Sequence, residues 1–463
     1  MTILAAPSLG AETVTSEPGA LSRQLQERSV TSLTVTGEID IRDMQFIVDS
    51  LPELTSLDLS GARVAGYAGD RLYAPASADI LPAYSLMGLR AGKVTLPAQL
   101  KRIDDGALAA TAITAITLPA GVTAVGTGAF AGSAELASVT LPASLKAIGT
   151  AAFKDCTSLT AIDLPEAVTA IDSCAFDGCR ALSVVNFPAS LTRIGARAFQ
   201  GTALTDISLQ GCKSLRRVGA FAFAHIPTLT SAILPAGASQ LGEGLFFDCE
   251  SLQSVVMPEA IDELPDYVLK GTQLTDHSGV IPSGVTRIGR YALYGNARLV
   301  ALELPEGLES IDDRALAGLV ALKRLDAARL SSLPALGDDV FAGTASKDVA
   351  LLSADDMAPI FEVADQWKEF TVIAYSSADE VEADSPMSRL LLRYDGSDIY
   401  ITAGRPISAV DIYDLSGSMI AARRLSAPEA ETSVSVGPRA GQVVILRVAY
   451  ADTDSTSIAK LKL

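Results

Sequence analysis

The chain contains few of the residues on which most enzyme active sites depend. Its 463 residues include two histidines, His225 and His277, and no G-x-S-x-G, P-loop or H-E-x-x-H sequence. A catalytic nucleophile must lie within hydrogen-bond reach of its base, and the two histidines fall in different copies of the repeat described below. We therefore expect no enzymatic activity and no bound cofactor.

Positive charge and long apolar runs are also scarce. The chain has 36 lysines and arginines but 54 acidic residues, which gives a net charge of −18. This charge repels the phosphates of nucleic acids and of anionic lipids. No uncharged apolar segment approaches the roughly 18 residues that a membrane-spanning helix requires. The sequence thus predicts a monomer that binds no nucleic acid and does not insert into a membrane.

One apolar position, occupied by Phe or Leu, recurs through most of the chain. Neighbouring members are 22 to 25 residues apart. A period of this length indicates one small unit that is copied about a dozen times and is stable only when the copies stack. We call this set the spine. Its members are Leu86, Leu108, Phe130, Phe153, Phe176, Phe199, Phe223, Phe246, Leu269, Leu293, Leu316 and Phe341.

Residues 159–181, LTAIDLPEAVTAIDSCAFDGCRA, show the unit most clearly. Ile162 and Leu164 are two residues apart and lie on one side of a short strand, so Asp163 points to the other side. A proline ends the strand because it cannot donate to a β-ladder. Residues 168–178 predict an irregular or single-turn helical return that is closed by a left-handed glycine. The recurrent prolines are Pro97, Pro119, Pro142, Pro165, Pro188, Pro235, Pro258, Pro282 and Pro305.

The signature L-P…I-G-x-x-A-F-x-G-C, kept in register over residues 80–345, resembles the BspA-type leucine-rich repeat. The resemblance implies an α/β leucine-rich-repeat solenoid of about twelve coils, with parallel strands and short helical or irregular returns. It also implies a bacterial protein that is secreted or displayed on the cell surface. Commoner leucine-rich repeats bury a column of Asn or Cys. This chain has two asparagines, Asn186 and Asn296, and we expect neither to form a column.

The N-terminal part departs from the repeat. Residues 1–29 predict either the trimmed end of a signal peptide or a flexible start. Residues 30–79 predict an N-terminal cap, with two strands that end at Val35 and Leu59 and an amphipathic helix between them. Residues 61–79 interrupt the period and predict a surface loop, which is either a spacer or a ligand contact.

The C-terminal part departs from it as well. Residues 346–375 contain the single tryptophan, Trp367, and predict a C-terminal cap of the solenoid. The acidic residues 376–388 predict a linker. Residues 389–463 contain runs of alternating apolar and polar residues, which predict a β-sandwich of five or six antiparallel strands with turns at Asp395-Gly396 and Ser416-Gly417.

Three segments of this last region, VDIYDLSGSMI, VVILRV and IAKLKL, resemble the type IX secretion sorting domain of exported bacterial proteins. The resemblance implies a sorting signal. The alternative is an accessory domain or a domain that is retained after export.

The five cysteines lie inside the repeats and predict small buried thiols. A disulfide between stacked coils is the alternative, although the odd number of cysteines leaves at least one thiol free. The only closely spaced pair lacks further ligands, so we expect no metal site. The acidic pairs Asp104-Asp105 and Asp312-Asp313 are expected to cap the turns that follow them rather than to act as catalytic carboxylates.

The outward strand position between Ile and Leu is the predicted binding face. Solenoids often bind along such a continuous face. The position carries no aromatic side chain, which favours a protein partner and leaves carbohydrate as a weaker option. We expect a non-enzymatic surface or secreted interaction protein, with host adhesion as one role. The alternative is a structural or glycan-associated cell-envelope component that is attached through its C-terminal sandwich. The candidate partner-binding face consists of Thr117, Thr140, Asp163, Asn186, Ser208 and Glu303.

Overall fold

The computed structural model describes residues 10–25, 27–375, 391–394, 397–414, 418–437, 443–451 and 456–462. The predicted linker at 376–388, the predicted turns at Asp395-Gly396 and Ser416-Gly417, and residues 1–9 of the predicted leader lie outside them. The described chain forms a parallel-strand solenoid of about 16 turns with little helix, followed in sequence by an antiparallel sheet. The prediction of about twelve coils was therefore too low.

The chain divides into two compact units. The first consists of Met1–Ala297, Ser310–Gly318 and Ala335–Ala342. The second consists of Arg298–Glu309, Leu319–Pro334 and Gly343–Leu463. The whole spine belongs to the first unit, and the antiparallel sheet belongs to the second.

Most coils contain a strand of about three residues that carries the x-I-x part of the repeat. Its middle residue is buried and the flanking residues face outward, as the alternation of side chains along a strand requires. These first strands pair in parallel within sheets. In the first unit they are Ala11–Ser16, Ser32–Ile39, Ser56–Asp58, Lys93–Thr95, Ala115–Thr117, Ser138–Thr140, Ala161–Asp163, Val184–Asn186, Asp206–Ser208, Ser231–Ile233 and Ser254–Val256. In the second unit they are Ala301–Glu303, Arg324–Asp326, Ala350–Ala354 and Thr371–Tyr375.

In most coils a second strand of two residues follows the first, and these second strands form their own parallel ladders. The eight members from Ile80–Leu81 to Gln240–Leu241 make one sheet, and the last four make another. A separate short strand, Ala62–Val64, pairs with Ser32–Ile39. The second strands are Ile80–Leu81, Arg102–Ile103, Ala124–Val125, Ala147–Ile148, Ala170–Ile171, Arg193–Ile194, Arg217–Val218, Gln240–Leu241, Glu263–Leu264, Arg287–Ile288, Ser310–Ile311 and Ala335–Leu336.

The return turns are irregular rather than helical, and hydrogen bonds between coils satisfy their backbone. In the turn around Phe153, the N–H groups of Ala151, Phe153 and Asp155 donate to carbonyls of the next coil at 2.9, 2.8 and 2.8 Å. Ala151 (φ 53°) and Asp155 (φ 58°) adopt the left-handed conformation that this arrangement needs. Gly178 does the same in the next turn (φ 76°), which confirms the prediction of a left-handed closing glycine.

The six consecutive phenylalanines of the spine form a column of stacked rings. Successive ring centroids are 5.1 to 6.0 Å apart and the ring planes differ by 3° to 15°. This offset stacking is a favoured aromatic geometry, and it confirms that the repeated Phe position forms the core. The fully buried members of the column are Phe130, Phe153, Phe176, Phe199, Phe223 and Phe246.

A buried polar column runs beside the spine, three residues after eight of the twelve spine positions. Each of its side chains donates a hydrogen bond to a spine carbonyl of its own coil or of the preceding one, so no unsatisfied polar group is left in this row. Asn296 is one member of this mixed column and donates to the carbonyls of both Leu269 and Leu293, whereas Asn186 is exposed on a first strand, so the two asparagines do not form a column of their own. The column consists of Thr111, Ser133, Cys156, Cys179, Thr202, Cys249, Thr272 and Asn296.

The N-terminal part is structured earlier than the sequence predicted. Ala11–Ser16, inside the predicted leader, pairs in parallel with Ser32–Ile39, and a short helix, Leu21–Gln24, lies between them. The predicted amphipathic helix is confirmed at Ile41–Ser50 and begins with an Asp40/Asp43 capping box. Because the strand Ala11–Ser16 comes first, this helix belongs to the second turn of the chain and not to the first.

The second unit ends in short helices and an antiparallel sheet. The helix Ala358–Phe361 and the 3-10 helices Ser346–Asp348 and Trp367–Glu369 flank the last parallel strands, and Trp367 is fully buried against Phe361. The sheet is built on two long bent strands and buries its own apolar core. All five strands are hydrogen-bonded into one sheet, which supports the predicted sandwich only in part. They are Leu391–Tyr394, Asp398–Asp414, Met419–Ser435, Val443–Tyr450 and Thr456–Lys462.

Candidate functional site

The first strands bring four of the six predicted binding residues together as neighbouring pairs. Thr117 lies opposite Thr140 in one sheet. Asp163 lies opposite Asn186 in another, and the Asn186 Nδ2 donates to the Asp163 Oδ1 at 3.2 Å. All four residues are exposed. The register of the parallel strands therefore creates a row of short polar side chains that face solvent.

The other two predicted residues have different surroundings. Ser208 lies opposite Ile233, which in turn lies opposite Val256, so the row becomes apolar there. Glu303 belongs to the second unit, where it pairs with the Arg324 guanidinium at 3.5 Å. The six predicted residues are therefore divided among several sheets, and Glu303 is in a sheet of the second unit.

Two exposed valines add apolar area to this face: Val256 lies in the polar row, and Val184 is the other outward residue of the strand that contains Asn186. Val184 is 52% exposed and Val256 is 42% exposed. Their partners in register, Ala161 and Ile233, are also outward residues of first strands. The face thus combines hydroxyl, carboxylate and amide groups with small apolar areas, a composition that suits contact with another protein.

The insertion at 61–79 is folded on itself. Tyr67 and Ala76 form an isolated antiparallel bridge, and the Tyr67 hydroxyl donates to the Asp70 carboxylate at 2.6 Å. Arg63 forms an ion pair with Asp79 at 3.1 Å. These contacts give the segment a defined shape. A ligand contact at this loop stays a prediction.

The structure contains an aromatic cluster that the sequence analysis did not predict. It lies on the return turns of four consecutive repeats. Tyr267 and Tyr291 occupy the same turn position in consecutive coils, and their rings stack with centroids 5.4 Å apart. The Phe247 ring stands at 66° to that of Tyr267, and the Tyr294 ring is tilted by 59° to that of Tyr291. We call this cluster the aromatic turn patch. It consists of Phe221, Phe247, Tyr267, Lys270, Tyr291 and Tyr294.

A sequence signal for this patch exists. Tyr267 and Tyr291 lie two residues before the spine, and Phe247 and Tyr294 lie one residue after it. None of these residues lies at the outward strand position, so a prediction based on that position does not find them.

One carboxylate of each acidic pair bonds to the backbone of the next coil, and the other pairs with an arginine. The Asp105 carboxylate accepts from the Thr127 N–H at 2.7 Å, and the Asp313 carboxylate accepts from the Asp338 N–H at 2.8 Å. Asp104 and Asp312 form ion pairs with arginines of the second strands. The Asp105 and Asp313 carboxylates therefore cap turns of the following coil, not the turns that directly follow them in sequence.

The remaining candidates for chemistry are separate from one another. His225 lies near Asp248, with the Nδ1 3.9 Å from a carboxylate oxygen. All five cysteines are free thiols, and burial raises the pKa of both Cys156 and Cys249 to about 12. In the described ranges, no group of three or more His, Cys, Asp or Glu side chains is arranged to hold a metal ion. Among the same residues, no helix combines the length and the apolar character needed to cross a membrane.

Comparison with known proteins identifies the repeats. Residues 79–205, 169–279 and 277–354 match the model of the BspA type leucine rich repeat region, in six copies. A search of curated protein sequences finds no match. Among solved structures, a leucine-rich repeat protein from Bacteroides ovatus shares 22% identity over 75% of this chain and 84% of its own, with a TM-score of 0.54, which shows a common fold.

Two further structures have TM-scores too low to support a structural argument. The pneumococcal vaccine antigen PcpA shares 16% identity over 80% of this chain and 84% of its own, with a TM-score of 0.33. A leucine rich cell surface protein from Faecalibacterium prausnitzii shares 24% identity over 50% of this chain and 84% of its own, with a TM-score of 0.27. The matched repeats span more than half of the chain, and on that ground the chain belongs to the BspA-type leucine-rich repeat family.

Proposed function

We propose that this chain is a non-enzymatic, secreted or cell-surface protein that binds a protein partner through its first-strand face. Membership of the BspA-type family supports export and a role in protein interaction. Host adhesion is the specific role that we propose to test first. The partner-binding residues in this proposal are Thr117, Thr140, Asp163, Asn186 and Ser208, with Glu303 as a separate candidate in the second unit.

The observation that carries the proposal is the register of the outward side chains. Asp163 and Asn186 are exposed, opposite each other and hydrogen-bonded, so their polar groups are held in place before a partner arrives. Preorganised side chains lose less conformational entropy on binding. The neighbouring Val184 supplies exposed apolar area, and such area makes binding favourable when a partner covers it.

The test is a triple variant, Asp163→Lys, Asn186→Lys and Ser208→Lys, in pull-downs from host extracellular matrix and from cell envelopes. We expect loss of the captured protein with no change in the melting temperature, because all three side chains are exposed.

The matched control is Glu135→Lys, Thr157→Lys and Gln200→Lys. It adds the same charge at turn residues outside the first strands. Equal capture by the triple variant and the control would contradict the proposal for this face.

A second candidate function rests on the antiparallel sheet. This sheet has its own buried core, which includes Ile412, Val434 and Leu446. A separate core is what an attachment domain needs, and we therefore retain the alternative of a structural or glycan-associated envelope component. Deleting residues 389–463 separates the two functions. If the shortened chain is no longer retained by the envelope but still binds matrix, the sheet is the attachment domain and the solenoid binds the partner.

A further inference from the structure

The aromatic turn patch surrounds a positive charge. The Lys270 Nζ lies 5.2 Å from the ring centroid of Phe247, 5.6 Å from that of Tyr267, 5.4 Å from that of Tyr291 and 5.6 Å from that of Tyr294. An ammonium within about 6 Å of a ring centroid is attracted by the ring quadrupole. No carboxylate in the described part of the chain forms an ion pair with Lys270. Four rings, rather than an acidic side chain, hold this cation.

The charged side chains around the patch are of both signs, and most of the carboxylates are paired. Asp266 is neutralised by Arg290 at 3.0 Å, and Arg314 pairs with Asp339 at 2.8 Å. Glu243 and Asp248, in the turn of the Phe247 coil, have no lysine or arginine partner within the described residues. Glu243 and Asp248 are thus available to a basic partner beside rings that already attract cations, and both features favour a positively charged partner.

The ring orientations argue against a carbohydrate at the same place. Stacking on sugars needs an open ring face. Tyr267 and Tyr291 turn their faces toward each other, with ring planes only 7° apart. The faces that the two rings turn toward each other are closed to a sugar, whereas the position of the Lys270 Nζ shows that the cluster accommodates an ammonium group.

We propose that the aromatic turn patch binds a lysine or arginine side chain of a basic protein partner, and that Lys270 occupies the cage when no partner is bound. The long, flexible stem of lysine allows the ammonium to leave. This interaction surface is distinct from the first-strand face and does not depend on it. A partner that carries several basic residues would place one side chain in the cage and others beside Glu243 and Asp248.

The test measures binding of a fluorescein-labelled octalysine peptide to the full chain by fluorescence anisotropy. Lys270→Met removes the competing ammonium and keeps a chain of similar length. The control, Lys154→Met, removes the same charge at the same turn position of another coil, where the ammonium pairs with Asp177 instead of rings. We expect the Lys270→Met variant to bind the peptide roughly fivefold more tightly than the Lys154→Met variant.

A second pair of variants tests the rings at constant charge. In the Lys270→Met background, Tyr291→Leu should reverse the gain in affinity. Tyr84→Leu, at the same turn position of a distant coil, should leave it unchanged, and thermal melting by circular dichroism checks that each variant is folded. Equal affinities of the two Met variants would overturn the proposal. So would an equal loss from Tyr84→Leu and Tyr291→Leu, because binding would then follow the overall negative charge alone.

Discussion

The Cys179 thiol donates a hydrogen bond to the backbone carbonyl of Phe153 in the preceding coil, with the Sγ 3.0 Å from the oxygen. Cys156 and Cys249 make the same contact with Phe130 and Phe223. A weak donor is sufficient here, because the same carbonyl also accepts a backbone N–H, from Cys156 in the case of Phe153. The thiols are part of the scaffold, and this role explains their burial without any reaction chemistry.

The first prediction concerns this contact. Cys179→Ala removes the donor and leaves a space, so we expect the free energy of unfolding to fall by about 1–3 kcal/mol. Cys179→Thr should cost less, because Thr202 at the same position donates to the Phe199 carbonyl at 2.9 Å. Urea denaturation of both variants measures the difference. A threonine variant that is less stable than the alanine variant would show that the hydrogen bond is not the cause.

The second prediction is a loss of stability at high pH. Burial raises the pKa of the Cys156 and Cys249 thiols to about 12, whereas an unfolded cysteine has a pKa of about 8.5. The unfolded chain therefore loses these protons first. The stabilising contribution is complete below about pH 8.5 and disappears as the pH rises toward 12.

At pH 10 the expected loss is about 2 kcal/mol for each of these thiols. Unfolding free energies measured at pH 7.5 and pH 10 give this difference. The double variant Cys156→Thr and Cys249→Thr is the control and should lose markedly less over the same range. An identical loss in the double variant would assign the pH dependence to other groups.

The third prediction concerns the spine. Phe176 is fully buried between Phe153 and Phe199, with ring centroids 5.4 and 5.2 Å away. Phe176→Ala should lower the free energy of unfolding by about 3–5 kcal/mol, since it removes a large buried side chain and leaves a cavity. Val184→Ala, at an exposed position of the neighbouring coil, should change stability by less than about 0.5 kcal/mol. Equal melting temperatures for Phe176→Ala and the parent would contradict the role of the spine.

The fourth prediction concerns close approach of the backbone. A Cβ atom on Gly219 would press on the backbone of Ala196 in the preceding coil, whereas a Cβ on Gly211 would meet no heavy atom within 4 Å. We expect Gly219→Ala to cost about 1–3 kcal/mol of stability through overpacking. Gly211→Ala should be close to neutral. Thermal unfolding monitored by circular dichroism compares the stabilities of the two variants. Equal stability of Gly219→Ala and Gly211→Ala would mean that the coils can move apart freely.

Local patterns explain what was predicted correctly. The period of the Phe and Leu residues, the apolar spacing of the helix Ile41–Ser50 and the left-handed Gly178 are properties of short segments. Each of them follows from side-chain alternation, helical periodicity or the lack of a Cβ atom. The early strand Ala11–Ser16 was missed because only Val14 of its three inward positions is apolar, and only pairing with Ser32–Ile39 makes it a strand.

The buried polar column was missed for a different reason. Cys179, Thr202 and Asn296 have different side chains but the same function, which is donation to a spine carbonyl. A search for one conspicuous residue type finds no column, because the geometry selects any short donor that reaches the carbonyl.

The sequence by itself determined the repeat, its length and the identity of the core, because each coil is built from contacts within about 23 residues. Only the tertiary structure decided which surface residues meet. Lys270 and its four rings come from three coils. Asp163 and Asn186 come from two neighbouring coils. Such contacts depend on the register and the spacing of stacked coils, which are set by the ladders of all coils together and not by any single copy of the repeat.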